Sequence, residues 1–334
     1  MNTAPRQRQR GLTLIELMVG LTLGMVVATA LLTLFANASA NGSNLQRASA
    51  HIENGRYAVE LLREELQMAG YYGETSTAAS AWQVPNPCAT DPAGAFAPSP
   101  AALPTPVRGH RPGDMPSCLT GRDLLAGTDA VVVRRVDVTP VAVAGLPLGG
   151  SQYYLQHSLC NSDPVAVPFV FGRNRADFTV HTRGCTTLNA ARAYVSRIYF
   201  VAACNRCSGS GDGVPTLKRL DLVGDALVET ALVEGVESLR IEYGFDTDGN
   251  GSADTFLATA AASGSASQWE NVVALNLHLV MRSAERVAGS SLARAQTFQL
   301  GGLGSLSTAN DGHVRRAYST TVRLINPSGA RETQ

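Results

Sequence analysis

From Leu12 to Ala36 the chain runs for 25 apolar or small residues broken only by Thr13, Glu16, Thr22, Thr29 and Thr33. As a helix rising 1.5 Å per residue, such a run is about 37 Å long, enough to cross the hydrocarbon layer. Arg6, Arg8 and Arg10 precede it, which predicts a cytoplasmic N-terminus and an exported C-terminus. A threonine can return its hydroxyl to a preceding carbonyl; the Glu16 carboxylate cannot. At a bilayer centre an ionised side chain costs on the order of 2.5–3.5 kcal/mol, and less near the edge. Glu16 therefore marks a functional position that needs a partner.

Beyond the span the period changes but the helix continues. Leu45, Ile52, Val59 and Leu66 recur every seven residues, and Ala48, Gly55, Leu62 and Ala69 follow three positions behind them. Charges flank this stripe at Arg47, Glu53, Arg56, Glu60, Arg63, Glu64 and Glu65. The weak helix formers at 41–44 predict local fraying. Gly70 or Gly73 supplies the C-terminal stop. Residues 74–128, rich in Ala, Pro, Ser and Thr, read as a long irregular loop. Strand-like runs follow at 130–138, 153–156, 165–171, 193–203, 217–222, 238–245, 272–282 and 317–324, bounded by turn residues and without intervening long helices. The pattern predicts an α+β fold: a long N-terminal helix at 12–70, half membrane span and half amphipathic. A globular domain at 71–334, dominated by antiparallel β-sheet, follows it.

The residues Arg10-Gly11-Leu12-Thr13-Leu14-Ile15-Glu16-Leu17-Met18 resemble the processing site of type IV pilins and pseudopilins. The resemblance implies that 1–11 is a leader, cut between Gly11 and Leu12 by a prepilin peptidase that also methylates the new N-terminus. The free amine of Leu12 then offers Glu16 a cationic partner, on its own chain or on a neighbour in a filament. Leu12 stands where the family more often has Phe. A secretory signal ending at Ala38-Ser39-Ala40 is the competing reading, but its apolar region is usually about 7–15 residues long. The helix ending Met68-Ala69-Gly70-Tyr71-Tyr72-Gly73, the segment from Trp269 through 272–283 and a last strand at 315–326 resemble PilW-type minor pilins.

Six cysteines, Cys88, Cys118, Cys160, Cys185, Cys204 and Cys207, all lie on the exported side, where disulfides persist. They allow fifteen connectivities; pairing of sequence neighbours would give Cys88–Cys118, Cys160–Cys185 and Cys204–Cys207. Cys204-Asn205-Arg206-Cys207 also has the spacing of a redox pair or half a zinc site, with no second such motif and no thioredoxin-like unit around it. Without the leader the chain has 24 basic against 27 acidic residues, a net of −3, which offers no basic stripe for nucleic acid.

One cation-site candidate stands out. Asp246, Asp248, Asn250 and Asp254 place side-chain oxygens at loop positions one, three, five and nine around glycine, and the Ser252 carbonyl would supply position seven. Leu257 stands where the bidentate glutamate belongs. The same residues also suit a plain hairpin turn. No other cofactor is expected. The histidines at 51, 110, 157, 181, 278 and 313 form no paired motif, and no nucleophile elbow or phosphate loop occurs, so no enzyme is expected.

The resemblance implies a structural minor pilin that primes type IV pilus assembly with other minor pilins, a tip protein and the major pilin. It would sit as a single-pass protein of the inner membrane with a periplasmic domain, then in the pilus. A minor pseudopilin of a type II secretion system shares every N-terminal feature. A membrane-anchored, calcium-dependent adhesion domain is the rival of another class.

Overall fold

The computed structural model describes residues 11, 13–74, 81–96, 102–164, 168–209, 211–258, 266–287 and 293–332. The chain divides into two units, Met1–Ala50 and His51–Gln334. The first helix, α1, covers Leu14–Gln67 and contributes to both. In the first unit the hydroxyls of Thr22, Thr29 and Thr33 donate to carbonyls three or four residues back, which removes their cost inside an apolar helix. The backbone stays helical through 41–44, against the fraying expected there. Weak propensity at four positions is a small cost once a long helix is propagating cooperatively.

In the second unit α1 buries His51, Gly55, Ala58, Leu62 and Leu66, and Ala69 follows just past its end. The expected seven-residue stripe is thus only half right: Ile52 and Val59 are half-buried, and Ala58 takes the inner position. A straight helix of 3.6 residues per turn drifts about 20° per heptad, so one face cannot follow a strict repeat of seven. The helix stops at Gln67, three residues before the expected end. Gly70 turns the chain at φ +74° and donates its N–H to the Arg134 carbonyl.

The stretch read as an irregular loop at 74–128 contains regular structure. Among its described residues are β1 (Ala81–Gln83), the short helix α2 (Pro92–Ala95), β2 (Ala102–Pro104) and β3 (Val107–His110). β1 and β2 pair in parallel, and Leu103, Thr105 and Val107 are fully buried. Proline misled the reading because it is tolerated where a strand ends or lies at an edge. Pro104 ends β2, and the fully buried Arg134 donates to the carbonyls of Pro85 at 3.1 Å and Thr105 at 3.3 Å.

The remaining elements are β4 (Ala130–Val141), β5 (Tyr154–His157), β6 (Phe169–Gly172), β7 (Ala191–Ala202), β8 (Thr216–Val223), β9 (Ala226–Glu234), β10 (Val236–Phe245), β11 (Thr255–Leu257), α3 (Ala266–Trp269), β12 (Val272–Arg282), β13 (Thr297–Gln299), β14 (Ser305–Ser307), β15 (Arg315–Arg323) and α4 (Ile325–Glu332). One antiparallel sheet runs β11-β10-β12-β15. A second runs β3-β4-β7-β5-β6, with β8 joined to the C-terminal half of β7 and β9 to β8. The main core joins Ala58, Leu62 and Leu66 of α1 to Leu239, Ile241 and Tyr243 of β10 and to Leu275, Leu277 and Leu279 of β12. Val131 and Val133 of β4 and Tyr199 and Val201 of β7 extend it to the second sheet. β9 and α4 escaped the sequence reading, and the last strand ends at Arg323 rather than 326.

Candidate processing and assembly site

Thr13 precedes the first turn of α1, and Glu16 is its third helical residue. The Glu16 carboxylate accepts from the Thr13 N–H at 3.0 Å and from its hydroxyl at 2.9 Å. The Thr13 hydroxyl in turn takes the Glu16 N–H at 3.3 Å. This reciprocal box satisfies orphan donors at the helix start. Its signature, Thr-x-x-Glu before an apolar run, stands in the sequence at 13–16, and the reading of Glu16 as a membrane anomaly overlooked it. Gly11 lies outside the helix and is exposed; Leu12, the expected first mature residue, lies outside the described residues. From Leu14 to Ser39 α1 is long and apolar enough to cross a membrane, and none of that stretch is buried.

The second unit closes three disulfides, Cys88–Cys118, Cys160–Cys185 and Cys204–Cys207. Each joins sequence neighbours.

At 246–254 the structure brings Asp246, Asp248 and Asp254 together, with one oxygen of each within 4.8 Å of the others. The loop already uses much of this oxygen itself. Asp246, buried at 1 % exposure, accepts from Gly249 N–H at 2.7 Å and Gly251 N–H at 2.9 Å, and faces Arg331 at 3.2 Å. Burial pushes its pKa up, but the two amides and the guanidinium outweigh that and hold it below the ordinary value. The Asp254 carboxyl is lowered by the hydroxyl and N–H of Thr247, both at 2.7 Å. Asn250 turns its side-chain oxygen to the Ser252 N–H at 2.8 Å. The donor set suits a hard cation, which would have to share Asp246 with Arg331.

One polar cluster was invisible in the sequence because folding assembles it from three strands. His278 on β12 bridges Glu242 on β10 and Ser319 on β15, both at 3.0 Å. Glu242 also accepts the Gly302 N–H at 2.9 Å. A Cβ at Gly301 would meet Glu242 at 2.5 Å and His278 at 2.9 Å, so glycine lets residues 301–302 lie directly on the pair. The cluster clasps that segment onto the sheet.

Residues 6–32 match the prokaryotic N-terminal methylation motif, and residues 198–326 match the family described as Type IV Pilus-assembly protein W. A type IV-like pilin from Thermus thermophilus is similar over 60% of this chain and 80% of its own, at 16% identity and a TM-score of 0.26. No curated protein matches the chain.

Proposed function

We infer that this chain, a PilW-type protein of the type IV pilin class by its two family matches, serves as a minor pilin that primes pilus assembly at or near the tip. One observation carries the reading: the apolar face of Leu14–Ser39 is wholly uncovered in the single chain. Exposed apolar surface on that scale needs a lipid or protein cover. The membrane provides it first, and the helices of other subunits provide it in a filament.

Prepilin peptidase is the proposed processing enzyme, and other minor pilins, a tip protein and the major pilin are the proposed neighbours. The proposed topology is an inner-membrane anchor with the His51–Gln334 unit in the periplasm. Cleavage at Gly11–Leu12 should give a mature chain beginning at methylated Leu12, read by mass spectrometry. Gly11→Glu should leave an unprocessed membrane protein that does not enter pili. A mature N-terminus at Asn41 would instead establish a secretory signal.

Loss of surface pili on deletion, with protein secretion intact, supports the pilus reading over the type II secretion pseudopilin. Labelled subunits distributed along the whole filament would refute the tip position. Calcium at Asp246, Asp248 and Asp254 is proposed as a structural addition to the same domain.

A further inference from the structure

We propose that Cys204–Cys207 is a thiol–disulfide exchange centre, able to pass electrons to a disulfide on an exported partner, while the other two bridges are structural.

The pair lies in the connection between β7 and β8. Cys204 is buried and Cys207 is partly exposed. Lys218, on β8 and 5 % exposed, points its ammonium at the Cys207 sulfur from 3.7 Å. The same ammonium donates to Glu229 at 2.8 Å, and Arg122 donates to the other oxygen of that carboxylate at 2.8 Å. Arg122 thus takes up one oxygen of Glu229 and leaves the Lys218 ammonium as the cation in contact with Cys207, opposed by the Asp123 carboxylate on the other side. A cation next to a cysteine stabilises its thiolate and lowers its pKa. A carboxylate oxygen of Asp123 and both sulfurs lie within 4.8 Å of one another. The Asp123 carbonyl accepts the Ala203 N–H at 2.7 Å, which fixes that residue at the base of the loop. The two remaining charges of the loop are Arg206, which is exposed, and Asp212.

The loop does not depend on the bridge for its shape. Asp212 accepts the N–H groups of Asn205 at 3.0 Å, Arg206 at 2.8 Å and Val214 at 3.0 Å. Gly209, Gly211 and Gly213 take the left-handed conformation that the turns require. Closing a separation of 3 residues also constrains the unfolded chain less than closing 30 or 25 does. Opening this bridge therefore costs the fold least of the three.

The chemistry balances without a cofactor. In the dithiol form the Cys207 thiolate attacks an external disulfide R–S–S–R′; the Cys207–S–R bond forms and R′S⁻ leaves. Cys204 gives its proton to the Asp123 carboxylate and attacks the Cys207 sulfur. The Cys204–Cys207 bond forms and RS⁻ leaves. Two electrons pass to the external disulfide. The reverse sequence, driven by an external dithiol, reduces the pair.

The test uses the purified full-length chain in detergent micelles, equilibrated with glutathione redox buffers, acid-quenched and alkylated for mass spectrometry. Cys204–Cys207 should be reduced at potentials where Cys88–Cys118 and Cys160–Cys185 stay closed. Reduction of all three together would overturn the proposal. In the reduced protein, iodoacetamide reaction of Cys207 should titrate below the pKa of about 8.5 of a free cysteine. Lys218→Met should raise that midpoint and, for a shift of one unit, slow reaction at pH 6.5 about threefold, because lost thiolate is partly offset by greater intrinsic nucleophilicity. Glu229→Gln should move the midpoint the other way, and Lys218→Arg should leave it low. A midpoint indifferent to both Lys218→Met and Glu229→Gln would also overturn it.

Discussion

Glu16 has one partner in the structure and a second in the proposed filament, and at the scale of single residues the two can be separated. In the single chain its carboxylate closes the box with Thr13. In the proposed filament the Leu12 amine competes for it. Glu16→Gln keeps an acceptor for the cap and removes the charge; Glu16→Ala removes both. Both variants should insert in the membrane, since a costly group is gone. Both should lose co-purification with other pilins, and only Glu16→Ala should also fray the helix start. Unchanged co-purification of Glu16→Gln would mean that the charge has no part in assembly. Two core positions allow cleaner tests. The Tyr243 hydroxyl is fully buried with no partner among the described residues, beside the edge-on ring of Trp269 at 5.1 Å. Burial pushes its pKa well up. Tyr243→Phe should raise stability by about 1 kcal/mol in denaturant titration, because it deletes an unsatisfied group. Gly55 is the reverse case: a Cβ there would sit 2.4 Å from the Tyr318 ring. Gly55→Val should cost about 1–3 kcal/mol by overpacking where α1 meets β15.

At the scale of elements, sequence pattern was informative where one period dominated and silent where pairing was made by the fold. The span, α1 and the β10, β12 and β15 ladder were legible from apolar run, helical stripe and β-branched content. β9 was not, since its apolar residues come in two adjacent runs, Ala226-Leu227-Val228 and Ala231-Leu232-Val233, with Glu229 and Thr230 between them, so no period of two stands out. The Glu242–His278–Ser319 cluster was out of reach, because register alone brings those positions together. The 246–254 loop was legible as a set of oxygens but not as a set of bonds: Arg331 of α4, an element missed entirely, stands against Asp246. If calcium fills the loop, the bound form should gain about 1.4 kcal/mol at tenfold excess over Kd. The melting temperature of the full chain in micelles should then rise in millimolar calcium, and Asp248→Ala with Asp254→Ala should abolish the rise. An identical melting temperature with and without calcium assigns the loop to turn geometry alone.

For the whole molecule, buried imidazoles set the acid response. Burial holds His110 and His157 down to about 4, and His51 moves the same way through burial and the nearby Arg316. In the unfolded chain a histidine titrates near 6.5. Above that pH neither state is protonated; between about 6.5 and 4 the unfolded chain takes up protons first, so stability falls as pH falls. Asp163, held at about 2 by the Ser158 hydroxyl and His181, extends the loss to lower pH. Asp129, pushed up by burial, opposes it only within the carboxylate range. The melting temperature should be flat above pH 7 and decline below 6.5; a rise between 6.5 and 5 would contradict this account.

The placement of the bridges has a mechanical consequence. A subunit of the proposed filament that is stretched until it unfolds lengthens only by the chain left free between its covalent ties. The Cys88–Cys118 bridge, with a sequence separation of 30, withholds about 100 Å of contour at roughly 3.3–3.6 Å per residue. Cys160–Cys185, with a separation of 25, withholds somewhat less. No cysteine follows Cys207, so the strands β8 to β15 extend fully. A subunit pulled in an optical trap should therefore elongate in a short step while oxidised and a longer one once reduced, the difference coming wholly from the N-terminal part of the globular unit.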